Sequence, residues 1–171
     1  SFWIEVDRVT RYRTLEELLI SEGYLNRSDL DRVRTQSDGA PGGLGWRLVE
    51  SGVLSEDVLT KVLARLHEIS IVDLATAPIE AGVLDSFPLE RMRRDLFLPL
   101  RHEGDRLIVA VADPGNILLR DDLTRWHGGP VDLVLATRAA MLDRLNRVDA
   151  SQRALKAITE DFKLAEAEDD E

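Results

Sequence analysis

The sequence predicts an α+β protein: an N-terminal helical lobe of two repeated helix–turn–helix hairpins, followed by a small C-terminal α/β lobe with a mixed sheet. Three observations support this fold class. A 29-residue repeat dominates the N-terminal third of the chain, and short apolar segments alternate with helical ones after it. The hydrophobic share of 44% and the charged share of 32% are typical of a globular protein of 171 residues.

These observations divide the chain into four parts. They are an N-terminal extension (1–13), the helical lobe (14–68), the α/β lobe (69–148) and a helix-permissive acidic tail (149–171). The extension alternates apolar and charged residues, so we expect either an added strand or a linker there.

The repeat predicts two similar hairpins. Each copy reads L-x-x-x-L-[IV]-x-x-G-[YV]-L-[NS]-x-x-x-x-L, beginning at Leu15 and again at Leu44. The apolar spacing is that of a helix, and Gly23 and Gly52 stand where a helix needs a left-handed C-cap. The asparagine or serine that follows is a preferred N-cap for the next helix. Because neither hairpin buries a core alone, we expect the two to pack together.

The α/β lobe is predicted from short segments separated by turn residues. The predicted strands are 69–74, 96–101, 106–111 and 131–136, and the predicted helices are 83–87, 89–94, 117–127 and one that Thr137 caps and that runs through Leu145. The two middle strands should form a hairpin around the turn at 102–105, with Pro99 marking an edge or a bulge.

The tail has two interpretations. From Glu160 to the end there are seven acidic residues and one lysine, which favours a disordered, solubilising segment. Alternatively, a helix from about Ser151 to Leu164 docks onto a partner or folds back, since Ala154, Leu155, Ile158 and Phe162 form an apolar stripe.

Charge and composition exclude several classes of function. A net charge of −10 argues against broad binding to nucleic acid or anionic lipid, and no apolar run is long enough for membrane insertion. The chain has no cysteine, which excludes disulfides and thiolate chemistry. It also lacks a phosphate-binding loop and a G-x-S-x-G elbow, and its three histidines lack metal-ligand spacing. We therefore expect no enzyme, no metal site and no resident cofactor.

A few residues allow more than one interpretation. Trp46 either packs against the other hairpin, which we favour, or stacks on a base or a partner side chain. The glycines around 42–45 form a connector or, less favoured, an anion site. The arginines at 91, 93 and 94 form a solvated helix face or, second, a surface for an acidic protein.

Taken together, the doubled hairpin and the segments L-P-L-R (98–101) and G-D-R-L-I-V-A-V-A-D-P (104–114) resemble a known family. It is the N-terminal domain of type II secretion and type IV pilus assembly ATPases, also called the MshEN or GspE N-terminal domain. The resemblance runs from Thr14 to Val148. It implies a cytoplasmic module that docks onto other secretion or pilus components. Since an acidic tail follows instead of the ATPase domain, we expect a freestanding or excised module without motor activity.

Some members of that family bind cyclic di-GMP through the repeat, where each motif opens R-L-G and closes with glutamine. Here Thr14 and Gly43 stand at the arginine positions, and Glu16 replaces the first motif glycine. Ser37 and Leu66 stand at the glutamine positions. The apolar scaffold is kept, with Arg13, Gln36 and Arg47 nearby. The candidate surface for a ligand or partner comprises Arg13, Leu15, Leu19, Gly23, Gln36, Leu44, Gly45, Arg47, Leu48 and Gly52.

We therefore expect a non-catalytic interaction or regulatory module that docks onto a protein partner of a secretion, pilus or motility system. The alternative is a cyclic di-GMP receptor with degenerate motifs.

Overall fold

The structure, a computed structural model, describes residues 14–35 and 43–169. Within these residues the protein is α+β, with seven α-helices, a short 3-10 helix (Val83–Ser86) and one three-stranded sheet. The helices are α1 (Leu15–Ser21), α2 (Arg27–Thr35), α3 (Gly43–Glu50), α4 (Glu56–His67), α5 (Leu89–Asp95), α6 (Ile117–His127) and α7 (Arg138–Asp169). The strands are β1 (Phe97–Glu103), β2 (Arg106–Val111) and β3 (Val131–Leu135).

The two hairpins, α1–α2 and α3–α4, form as the repeat predicts. Gly23 and Gly52 adopt φ angles of +78° and +77°, which reverse the chain after α1 and α3. The Asn26 side chain then accepts a 2.8 Å hydrogen bond from the Asp29 amide. Ser55 caps α4 in the same way, accepting from the amide three residues later at 3.2 Å. The repeat is therefore a pair of capped turns as well as an apolar pattern.

One hydrophobic core holds the two hairpins together. Its buried members are Leu18, Leu19, Leu25, Leu30, Val33, Leu48, Leu54, Leu59 and Val62. At the surface, Arg65 of α4 donates a 2.8 Å hydrogen bond to Glu22 at the end of α1, and this contact lowers the pKa of that carboxyl. The core and this ion pair join α1 to α4, so the two hairpins form one helical lobe.

A second core lies around the sheet, whose strand order is β1–β2–β3. β1 runs antiparallel to β2, and β3 runs parallel to it, so the sheet is mixed. The pairing shifts between Pro99 and Arg101 on the edge strand β1, as expected where a proline cannot donate a hydrogen bond. Arg106 joins β2 to β3 with two 2.6 Å hydrogen bonds to Asp132, which lower the pKa of that carboxyl.

The predicted strand at 69–74 is wrong. Only an isolated bridge forms, between Ile71 and Leu135, because the chain turns immediately afterwards. The Asp73 carboxylate accepts a 3.0 Å hydrogen bond from the Ala75 amide, and its carbonyl accepts one from Ala77 at 2.9 Å. An aspartate that satisfies these turn amides ends the extended segment.

Helix α7 extends far beyond Leu145, where the sequence interpretation ended it. It continues without interruption to Asp169, so residues 149–169 are helical and not a disordered segment. The reason is that no proline or glycine occurs between 138 and 169. None of the helices described here has the combined length and apolarity needed to cross a membrane.

Candidate functional site

A cavity of about 760 Å³ lies between the helical lobe and the α/β lobe, and we call it the inter-lobe cleft. The helical lobe contributes the start of each repeat copy (14–16 and 43–46) together with α4. The α/β lobe contributes the end of α5, the loop from β2 to α6 and the start of α7. The cleft therefore brings together the two places where the repeat begins, which lie 29 residues apart in the sequence.

The first repeat copy uses its polar side chains for internal contacts. The Thr14 hydroxyl accepts a 3.2 Å hydrogen bond from the Glu17 amide and so caps α1. Glu16 forms an ion pair with Arg34 of α2. These contacts stabilise the hairpin, and they leave a carboxylate on the wall of the cleft.

The second repeat copy presents mainly backbone and apolar groups. Gly43 has a φ angle of +71°, which an L side chain adopts only with strain. A Cβ on Gly45 would lie 2.9 Å from Leu59 Cδ1 and 3.2 Å from Leu15 Cδ2. The glycine at 45 is thus explained by close packing of α3 against α1 and α4.

Two contacts from the first turn of α7 join the side of the cleft that the α/β lobe forms to the side that the helical lobe forms. The Arg138 guanidinium lies over the Trp46 ring, 4.6 Å from its centroid. The Ala139 amide donates a 3.3 Å hydrogen bond to Glu56 of α4. The Trp46 ring therefore contacts an arginine of the protein's own α/β lobe. Neither of the two interpretations of Trp46 from the sequence predicted this contact.

The other arginines near the cleft, for which a solvated face or an acidic-partner surface is predicted, are paired with acids of the protein itself. Arg91 binds Asp95 at 3.0 Å and Asp122 at 3.1 Å. Arg93 donates to Asn146 and Asp149, both at 3.1 Å, and Arg94 pairs with Asp95 at 3.3 Å. Short-range ion pairs between α5, α6 and α7 neutralise this cluster.

The balance of charge in the cleft is acidic. Among the described residues, five carboxylates line it (Glu16, Glu50, Glu56, Asp95 and Asp113), against three guanidinium groups (Arg93, Arg94 and Arg138) and His67. Each of those three arginines already contacts an acid or an aromatic ring of the protein itself.

The structure separates the candidate residues into groups. Leu15, Leu44 and Gly45 line the cleft. Leu19 and Leu48 are completely buried in the helical core, and Gly23 and Gly52 serve the two turns. Arg47 lies half-buried on α3 and outside the cleft lining, whereas Arg13 and Gln36 lie outside the described residues.

Sequence reasoning missed residues that reach the site through long-range contacts. Arg138 and Asn116 line the cleft, and no local pattern marked them. Beside Asn116, Ile117 and Leu118 begin α6 with 71% and 78% of their side chains exposed. The sequence shows that these two residues are apolar and adjacent. It does not show that they are exposed beside a cavity, which is what marks them as a candidate contact surface.

Two histidines that are distant in sequence meet in space. The centroids of the His102 and His127 rings lie 5.5 Å apart. The His102 amide donates a 2.6 Å hydrogen bond to Glu80 and lowers the pKa of that carboxyl. Within residues 14–35 and 43–169 there is no group of three or more side chains able to hold a metal ion.

The contact of Arg138 with Trp46 should be measurable as a coupling between the lobes. We expect a double-mutant cycle of Arg138→Ala and Trp46→Leu to give a coupling free energy of about 0.5–1 kcal/mol in urea unfolding. The matched control pairs Trp46→Leu with Arg125→Ala, whose guanidinium contacts Asp122 instead. Equal coupling in both cycles would contradict the assignment.

Comparison with known proteins places this geometry in context. A family model described as the MshEN domain matches residues 67–155. A type IV pilus assembly ATPase, PilB of Myxococcus xanthus, is 27% identical over 138 residues, covering 81% of this chain and 24% of that protein. PilB of Thermus thermophilus is 28% identical over 192 residues, covering 91% of this chain and 22% of that protein. The chain therefore spans about a quarter of the length of these relatives.

Two solved structures share the fold. A structure of MshE with cdg matches with a TM-score of 0.70 and 25% identity, covering 80% of this chain and 99% of that one. The N-terminal domain of XpsE matches with a TM-score of 0.67 and 24% identity, covering 78% of this chain and 92% of that one.

Proposed function

This chain belongs to the MshEN domain family, and we propose that it is a non-catalytic interaction module that docks onto a protein partner in a secretion, pilus or motility assembly. Its relatives are pilus ATPases, and the solved neighbours include an N-terminal domain of this type. By the same analogy we place the module in the cytoplasm, where it would act without hydrolysing nucleotide itself.

The observation that carries the proposal is the chemistry of the inter-lobe cleft. Its arginines already have partners within the protein, and five carboxylates line its walls. An anionic small molecule would have to compete with those internal contacts and approach the carboxylates on the cleft walls. A protein surface needs no such displacement and favours apolar contact instead.

The exposed pair Ile117 and Leu118 supplies that apolar contact. Both lie in the first turn of α6, directly after Asn116 of the cleft lining. We propose that the partner covers this pair and the adjoining rim of the cleft. Leu142, which also lines the cleft and is 39% exposed, extends the same apolar character.

The test is site-specific photo-crosslinking in the source cell. A photoreactive residue at Leu118 should capture a component of an envelope assembly, and the double variant I117D/L118D should abolish co-purification of that same protein. The matched control places the crosslinker at Leu164, a leucine on α7 that is also well exposed, and it should not capture that component. Identical capture from both positions, or none from Leu118, would refute the docking surface.

A second candidate function is a cyclic di-GMP receptor. It is favoured by one observation, the likeness to MshE solved with cdg, a domain with a TM-score of 0.70. Against it stand the charge of the cleft and the substitutions at positions 14, 16 and 43. Direct titration with cyclic di-GMP decides between the two functions.

A further inference from the structure

The last twenty residues of α7 that the structure describes are exposed along their whole length. Residues 150–169 are all exposed, which corresponds to about 30 Å of helix projecting from the α/β lobe. Three large apolar side chains lie on this part: Leu155, Ile158 and Phe162, with exposed fractions of 65%, 55% and 68%. Helices in proteins gain most of their stability from packing of an apolar face, so the exposed stripe on this part of α7 calls for a surface that covers it.

The three side chains form a single stripe. They occupy positions i, i+3 and i+7, the spacing by which an amphipathic helix presents anchors to another helix or a groove. The stripe also continues the face that seats α7 on its own lobe, since the buried Met141 and Val148 precede Leu155 at intervals of seven residues. The projecting half thus carries an apolar seam with nothing packed on it among the residues described.

The charges along α7 are divided by sequence. Between residues 144 and 156 there are four basic side chains and one acidic one, and between 160 and 169 there are five acidic side chains and one lysine. The basic part remains exposed, with Arg147 and Arg153 at 51% and 80%, although each lies near an aspartate one turn earlier on α7, at 3.8 Å and 3.1 Å.

A second copy of α7 complements this pattern when it runs antiparallel. The acidic end of each helix then lies along the arginine-rich segment of the other, and Ile158 lies near the two-fold axis. A parallel arrangement would place both acidic ends together, which like-charge repulsion disfavours. We propose that the chain forms a two-fold dimer through antiparallel pairing of its α7 helices, with Leu155, Ile158 and Phe162 as the apolar contact.

The pairing is tested by sedimentation velocity over protein concentrations from about 1 to 200 µM. We expect a dimer at the upper concentrations that dissociates more readily at high salt, because the complementary charges are exposed. Ile158→Asp should raise the dissociation constant by about 30-fold or more, as at an interface hot spot. The matched control, Leu164→Asp, changes an exposed leucine on the opposite side of α7 and should leave the dimer intact.

The orientation is tested by disulfide trapping, which is clean because the chain has no cysteine of its own. Ser151 and Ala165 each lie seven residues from Ile158 on the stripe face. In an antiparallel dimer, S151C mixed with A165C forms a mixed disulfide, whereas S151C alone does not crosslink efficiently.

Three results would overturn the proposal: a monomer at every concentration, a dimer that Ile158→Asp does not weaken, or efficient crosslinking of S151C to itself. The dimer lies beyond the proposed docking function and does not depend on it. Its failure would leave the crosslinking test at Leu118 unaffected.

Discussion

Replacing Leu19 or Leu48 with alanine is expected to lower the free energy of unfolding by about 2–5 kcal/mol. Both side chains are completely buried, and they occupy equivalent positions in the two repeat copies. Each removal leaves a cavity in the single core that joins the hairpins, because the remaining leucines come from both copies and cannot close over it. We therefore expect losses of similar size at the two positions.

Urea unfolding followed by far-ultraviolet circular dichroism measures both losses. Leu164→Ala is the matched control, since that leucine is 65% exposed and its replacement should change the stability by no more than about 0.5 kcal/mol. A loss below about 1 kcal/mol at either buried position would mean that the repeat leucines are not scaffold residues. In that case Leu19 and Leu48 would return as candidates for direct ligand contact.

Sequence reasoning succeeded where the determining interactions are local. The capped turns after Gly23 and Gly52 and the helix Ile117–His127 follow from residues within a few positions of one another. The edge position of Pro99 follows from the missing amide hydrogen of proline. The two-lobe α+β fold emerges from the repeat followed by the alternation of short strands and helices.

The same reasoning failed where contacts are long-range or where composition was misleading. Trp46 and Arg138 are 92 positions apart in the sequence, and no pattern in either segment predicts their contact. The strand predicted near residue 71 does not form, because the turn that Asp73 stabilises ends the extended segment. The acidic tail suggested disorder, yet helix-favouring residues without proline or glycine extend α7 to Asp169.

The affinity for cyclic di-GMP is the second property for which we expect a large effect. We expect no detectable heat of binding at about 100 µM ligand in calorimetry, with MshE, solved with cdg, as the positive control. Two charge-assisted contacts are lost because Thr14 and Gly43 stand at the arginine positions of the binding motif. Each loss costs about 1.5–3 kcal/mol, so together they weaken binding by about 10²- to 10⁴-fold.

The first repeat copy lowers the expected affinity for cyclic di-GMP further, because it contributes an unfavourable negative charge. Glu16 replaces the motif glycine and, although it is paired with Arg34, it faces the cleft where a dianionic ligand would have to enter. The double variant Thr14→Arg/Glu16→Gly should therefore gain weak binding. It should also lose about 1–2 kcal/mol of stability, because Thr14 no longer caps α1 and the glycine removes the ion pair with Arg34.

Micromolar binding by the unmodified chain would contradict both the expected affinity and the primacy of the docking function. It would mean that other residues have replaced the motif arginines, and Arg13, Gln36 and Arg47 would be the first to substitute. GTP serves as the specificity control, since a site that merely attracts phosphate would respond to both nucleotides. Binding restored only in the double variant would instead locate the difference between this chain and a cyclic di-GMP receptor in the two side chains that open the first repeat.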